Sequence, residues 1–281
     1  MRHAFLSLTL ALCWLGISAR AALQSPRLPD PQVVVIFADV TSSLTVKQNR
    51  RVAELTKEVI LHLPPLTTYR IYLIQADPDE EPIGRGVIGR ARNSREAEKR
   101  DKATQLEVDE YVDKIEERYC EINMKRGESV CKEKKWPSRP QPDQRSCILQ
   151  VVENVARTYL REEQRRPMDL VFISDMVEDC TDTPLNESIR LVKDDLSVDT
   201  SNIDRFRPLQ SIPPDVRITI VRPHVKDGLI ESSARKRALE AYWKKVFGRF
   251  GVNTKSWWFE STLPVRFSNE AVLGRGNDRK N

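Results

Sequence analysis

Residues Val33–Thr45 read VVVIFADVTSSLT. Five hydrophobic residues and an alanine run into Asp39, and Thr41, Ser42 and Ser43 follow it closely. Alternate side chains of a strand point to opposite faces, so an unbroken apolar run belongs to a strand covered on both sides. Its polar end then lies at a sheet edge, with an acid and several hydroxyl groups gathered where the chain leaves the strand.

Working outward, Thr45–Leu63 carries Val52, Leu55, Val59 and Leu63 at helical spacing. Thr45 and Gln48 fit a capping box, and Pro64-Pro65 stops the helix. Tyr69–Gln75 (YRIYLIQ) reads as a second buried strand, and the turn-rich Asp77–Gly89 ends in a short edge strand. A long polar helix over Ser94–Met124 keeps Val108, Tyr111, Ile115, Tyr119 and Ile122 on one stripe, and a loop dense in proline and charge follows. Helix returns over Cys147–Leu160, then strand over Met168–Ser174 and a weaker helix over Asn186–Leu196. Beyond an irregular stretch come a strand at Val216–Val221, a helix at Ser232–Phe250 ended by Gly251, and a last strand at Lys255–Ser261. Trp243, Trp257 and Trp258 read as core packing. This alternation predicts an α/β fold, a doubly wound, mostly parallel sheet with helices on both faces. One domain is expected over residues 30–265, with an insertion around 90–145 and a flexible tail over 266–281.

The first residues carry a different signal. Arg2 and His3 precede the apolar run Ala4–Ile17, and Ala19-Arg20-Ala21 supplies a small-x-small cleavage pattern. Residues 1–21 therefore read as a secretory signal peptide, and the mature chain as exported, periplasmic or extracellular. An uncleaved anchor is the alternative; a lipoprotein signal is disfavoured because Leu12 precedes Cys13. No later stretch is apolar enough to span a bilayer. Of the 5 cysteines, Cys13 leaves with the signal, and Cys120, Cys131, Cys147 and Cys180 allow three disulfide pairings. Cys120–Cys131 would close a short loop, and Cys147–Cys180 would join two segments flanking the expected site. The absence of a CxxC pair disfavours zinc. The formal charge of +5 reflects mixed signs. The basic runs CKEKKW (Cys131–Trp136) and ARKRAL (Ala234–Leu239) read as solvated faces rather than a nucleic-acid surface.

In open α/β sheets, ligands bind beyond the carboxyl ends of the strands. Asp39 and Asp175 each stand at such an end, after VVVIFA and LVFIS. Asp39, Thr41 and Ser43 alternate along extended chain and would converge. Oxygen ligands with few formal charges suit a hard cation, magnesium first, with manganese or calcium as alternatives. A hydrophobic strand followed by Asp39-Val40-Thr41-Ser42-Ser43, with a later strand ending in an aspartate, resembles a von Willebrand factor A domain and its metal-ion-dependent adhesion site. Threonine here replaces the first serine of the D-x-S-x-S pattern. The resemblance implies metal ligation by Asp39, Thr41 and Ser43, with Asp175 beside them. It implies Ser146, by order along the chain, as counterpart of the family's threonine. It further implies binding of an acidic group from a protein partner rather than catalysis. The plainer alternative is that Asp39 caps a turn and Thr41, Ser43 and Thr45 start the helix.

A catalytic reading competes. Haloacid-dehalogenase-like phosphatases also begin with a strand and an acidic motif, and Asp175 and Asp179 in SDMVEDC resemble their later acids. Asp39 would then attack phosphorus with magnesium neutralising the phosphate. The acid–base residue expected two positions on is Thr41, which cannot protonate a leaving group. His62 falls in the last turn of a helix and His224 follows a strand, with no G-x-S-x-G elbow near either. GRGVIG (Gly84–Gly89) lacks the lysine of a phosphate loop. Asn186-Glu187-Ser188 is a glycosylation acceptor only in a eukaryotic host.

Overall fold

The apolar run that ends at Asp39 forms the middle of the sheet. β1 (Val33–Asp39) pairs in parallel with β2 (Thr68–Ile74) on one side and with β4 (Met168–Ile173) on the other. A computed structural model describes residues 33–41, 43–76, 79, 81–123, 145–160, 166–178, 180, 212, 216–223, 233–249, 251–252 and 257–267. These lie in one unit, Pro31–Asn281. The expected signal peptide, the helix at 186–196, Cys131, Asp179, Asn186 and His224 fall outside the described residues.

Six strands run in the order β3-β2-β1-β4-β5-β6, with β3 at Gly84–Val87, β5 at Arg217–Val221 and β6 at Trp257–Glu260. All pairings are parallel except that of β2 with the edge strand β3. The order reverses between β1 and β4, which opens a crevice at their carboxyl ends. The doubly wound, mostly parallel α/β sheet expected from the sequence is the fold observed.

Both faces of β1 are covered, as its composition requires. Val34, Ile36 and Ala38 pack with α1 (Val46–Leu61) and α2 (Ser94–Asn123). Val33, Val35 and Phe37 pack with α3 (Ile148–Val155), which continues as a π turn over Ala156–Leu160, and with α4 (Ser233–Arg249). Thr45 caps α1 through the capping box with Gln48, a device that contributes about 1 kcal/mol. Val108, Tyr111, Ile115 and Tyr119 of α2 are buried. The first part of the expected insertion is thus a covering helix that Lys57–Asp109 also ties to α1.

Gly84 and Gly86 serve packing, not phosphate. A side-chain carbon at Gly86 would lie 2.6 Å from the Tyr69 hydroxyl, and one at Gly84 would lie 2.9 Å from Ile71 and Tyr111. Trp243 is fully buried, while Trp257 packs partly buried against Phe247 and Phe259. Trp258 is also half-buried and donates its indole N–H to the Thr262 carbonyl at 2.8 Å. Packing continues past residue 265: Phe267 is buried, and Arg266 grips the fully buried Asp169 of β4 through Nε at 2.9 Å and Nη2 at 3.3 Å.

Candidate metal centre

Asp39 ends β1, and the chain turns at once so that its carboxylate folds back over the following residues. Oδ1 accepts from the Thr41 backbone N–H at 3.0 Å and from Thr41 Oγ1 at 2.6 Å. Leu44 N–H closes the turn on the Thr41 carbonyl, and Asn49 of α1 donates to the Asp39 carbonyl at 3.4 Å. Tyr119 of α2 donates to the Leu44 carbonyl at 3.2 Å. The loop is therefore held from the strand, from α1 and from α2.

The Thr41 hydroxyl is the centre of the group. It lies 3.0 Å from Ser43 Oγ and 2.6 Å from Ser146 Oγ. Ser146 is fully buried just before α3, so a residue 105 positions away joins the β1 loop. At the end of β4, Ser174 donates to Asp39 Oδ2 at 2.7 Å and accepts from Met176 N–H at 2.8 Å. Asp175 accepts from Val177 N–H at 3.0 Å, and the nearby Ser43 side chain favours its charged form. All five residues expected from the sequence, Asp39, Thr41, Ser43, Ser146 and Asp175, meet at the switch point.

Two charges share this small space. Asp175 remains partly open to solvent, yet its carboxyl is pushed up to about 7, first by lost hydration and next by the Asp39 charge. Val177 N–H, Ser43 and the Arg222 charge offset part of the rise. Each hydroxyl has a single proton. With the Thr41 proton given to Asp39, Ser43 and Ser146 can each donate to the Thr41 oxygen. A hard cation relieves the repulsion between the two carboxylates, so the donor set fits one of the magnesium type. Among the described residues no three His, Cys, Asp or Glu side chains are placed to hold a metal ion, so any ligand set here leans on hydroxyls.

The loop after β4 is fixed by devices that the sequence did not reveal. Met176 is buried at φ 64°, a left-handed conformation that costs roughly 1–3 kcal/mol and persists only where surroundings impose it. Trp243 imposes part of it by donating its indole N–H to the Met176 carbonyl at 3.0 Å. Glu178, fully buried, accepts from Leu149 N–H at 2.9 Å and from Cys180 N–H at 3.0 Å. Cys147, the N-cap of α3, makes no side-chain capping bond, so Glu178 caps that helix from the neighbouring loop. The Cys147–Cys180 disulfide joins the same two segments, with Cα atoms 5.0 Å apart. Cys120 is also disulfide-bonded. His62 is the C-cap of α1, its Nδ1 2.7 Å from the Glu58 carbonyl, a structural placement.

No family model and no curated protein matches the chain. Among solved structures, the von Willebrand factor type A protein from Catenulispora acidiphila is similar at 12% identity and a TM-score of 0.35, over 79% of this chain and 41% of that one. The human COPII-coat protein Sec24c is similar at 10% identity and a TM-score of 0.42, over 89% of this chain and 32% of that one. The chain spans less than half the length of either.

Proposed function

We propose that the chain is an exported binding module of von Willebrand factor A type. Asp39, Thr41, Ser43, Ser146 and Asp175 would hold a magnesium-type divalent cation, and through it the module would take an acidic group of a protein partner. The carrying observation is the convergence of two carboxylates and three hydroxyls from three separate segments at the sheet's switch point. Manganese suits the same donors, whereas calcium prefers more ligands. When bound, such a cation would supply a Lewis-acidic centre that keeps water or takes a further oxygen ligand from the partner. The chain's own residues orient the donors: Ser174 turns Asp39, Val177 N–H turns Asp175, and the Thr41 turn fixes the hydroxyls. Export agrees with the Cys147–Cys180 disulfide, since such bonds persist in oxidising compartments. Among the described residues no helix is long and apolar enough to cross a membrane.

Two observations weigh against the phosphatase reading. Both oxygens of Asp39 already accept hydrogen bonds, Oδ2 from Ser174 and Oδ1 from Thr41, which stands at the acid–base position. The test is calorimetric titration with magnesium and manganese of the wild-type chain beside Asp39→Asn and Ser43→Ala, with a phosphatase assay on the same samples. Saturable binding weakened in both variants, without phosphate release, supports the reading. Absence of binding in the wild type ends it, and metal-dependent hydrolysis replaces it with the enzyme.

A further inference from the structure

We propose that the Cys147–Cys180 disulfide is a redox-operated clamp on the oxygen cluster, so that its reduction by an external dithiol loosens the Asp175 loop from the Ser146 segment and weakens cation binding. For the cation this rests on the metal-site reading; for the clamp it rests on loop geometry.

The bridge spans 33 residues of sequence and joins the two segments that bring the distant donors to the β1 loop. Cys147 adjoins Ser146, whose hydroxyl is 2.6 Å from that of Thr41. Cys180 lies on the segment leaving β4, five positions past Asp175. Between them, Met176 is held in the left-handed region and Glu178 reaches across to the Leu149 amide. A loop held away from its preferred conformation relaxes when a tether is cut. Glu178 and the Trp243 indole remain after reduction, so the expected change is a loosened loop in a folded domain.

The two sulfurs differ in access. Cys147 is buried, whereas Cys180 is partly exposed, so an incoming thiolate meets Cys180 first. In the exchange, one sulfur of the dithiol bonds to Cys180 Sγ while the bond to Cys147 breaks. Cys147 Sγ departs as a thiolate and takes a proton from solvent. The second thiol of the reagent then closes its own disulfide and releases Cys180 as a thiol. Two electrons pass from the dithiol, which is oxidised, to the bridge, which is reduced.

The test compares the oxidised chain, the chain reduced with dithiothreitol and desalted without air, and a Cys147→Ala/Cys180→Ala chain kept oxidised. Each is titrated with magnesium and manganese, and amide hydrogen exchange is followed at Leu149, Met176 and Val177. Dithiothreitol also reaches the disulfide at Cys120, so the paired variant isolates the bridge in question. The expected result is about tenfold or greater weakening in both the reduced and the variant chain, the size seen when groups supporting metal ligands are removed. Faster exchange at the three amides, with β1 and β4 still protected, accompanies it. Unchanged affinity overturns the clamp, and so does global unfolding of both treated chains, which makes the bridge a staple of the whole domain. If the oxidised chain binds no cation, the metal reading falls by itself. The clamp is then decided by exchange: acceleration at the three amides supports it, and none overturns it.

Discussion

Glu178→Ala removes a fully buried carboxylate that accepts from two backbone amides, Leu149 at 2.9 Å and Cys180 at 3.0 Å. Hydrogen bonds to a charged group contribute about 1.5–3 kcal/mol each. Leu149 lies in the first turn of α3, so the charge also meets the positive end of that helix, adding about 0.3–1 kcal/mol. Keeping a carboxylate from water opposes both gains. Taking the low end of each, the alanine variant should lose about 3 kcal/mol. Glu178→Gln keeps the shape and one acceptor oxygen for one of the two amides, and should lose about 1–2 kcal/mol. The assay is urea unfolding followed by tryptophan fluorescence, with divalent cations chelated. With a slope of about 3 kcal/mol per molar, the midpoint should fall by about 1 M for alanine and by roughly half that for glutamine. An alanine variant within about 0.5 kcal/mol of wild type, the range of ordinary surface changes, would refute the capping role.

Other perturbations test the fold and the pairing of the two acids. Among the described residues, Arg266→Ala leaves the buried Asp169 with Arg217 and Thr219 as partners. Breaking a buried pair costs about 3–5 kcal/mol, and the remaining donors with the partial exposure of Arg266 lower the expected loss to about 2 kcal/mol, read by thermal unfolding. Gly86→Ala drives a methyl group against the Tyr69 ring and should cost about 1–3 kcal/mol in the same assay; no loss would mean that the ring moves aside freely. Without divalent cations, stability should fall as pH rises from about 4 to about 7. Over that span the folded state keeps the Asp175 proton that the unfolded chain has released, and above about 7 the effect levels off. Asp175→Asn should flatten this slope in a pH series of denaturation curves.

Much of the architecture was legible because burial on both faces writes itself into composition. Val33–Phe37 could not be a half-exposed strand, and the stripe Val108, Tyr111, Ile115 and Tyr119 already named the buried side of α2. The start of α1 was legible because Thr45 and Gln48 interact over one helical turn. Five candidate site residues came together, Ser146 among them on chain order alone. What escaped depends on long-range contacts. Nothing local marks Glu178 as the cap of a helix that begins at Ile148, although an N-cap cysteine with no capping bond asks for an acceptor from elsewhere. Ser174 stood next to an expected residue, but its bond to Asp39 crosses 135 positions. The left-handed Met176 breaks the usual preference for glycine, and the Ser174 and Trp243 side chains that hold its backbone are distant or unmarked in sequence. Asp169 inside the apolar run MDLVFI was a sequence anomaly whose resolution, Arg266, lies 97 residues away in what had read as tail.

The most direct measurement of the central claim is anomalous diffraction from crystals of the oxidised chain grown with manganese. The account predicts an anomalous peak between Asp39 and Asp175, within ligand distance of hydroxyl oxygens from the Thr41, Ser43 and Ser146 group. A fully occupied manganese site elsewhere, with the five side chains still hydrogen-bonded to one another and no peak among them, would contradict it.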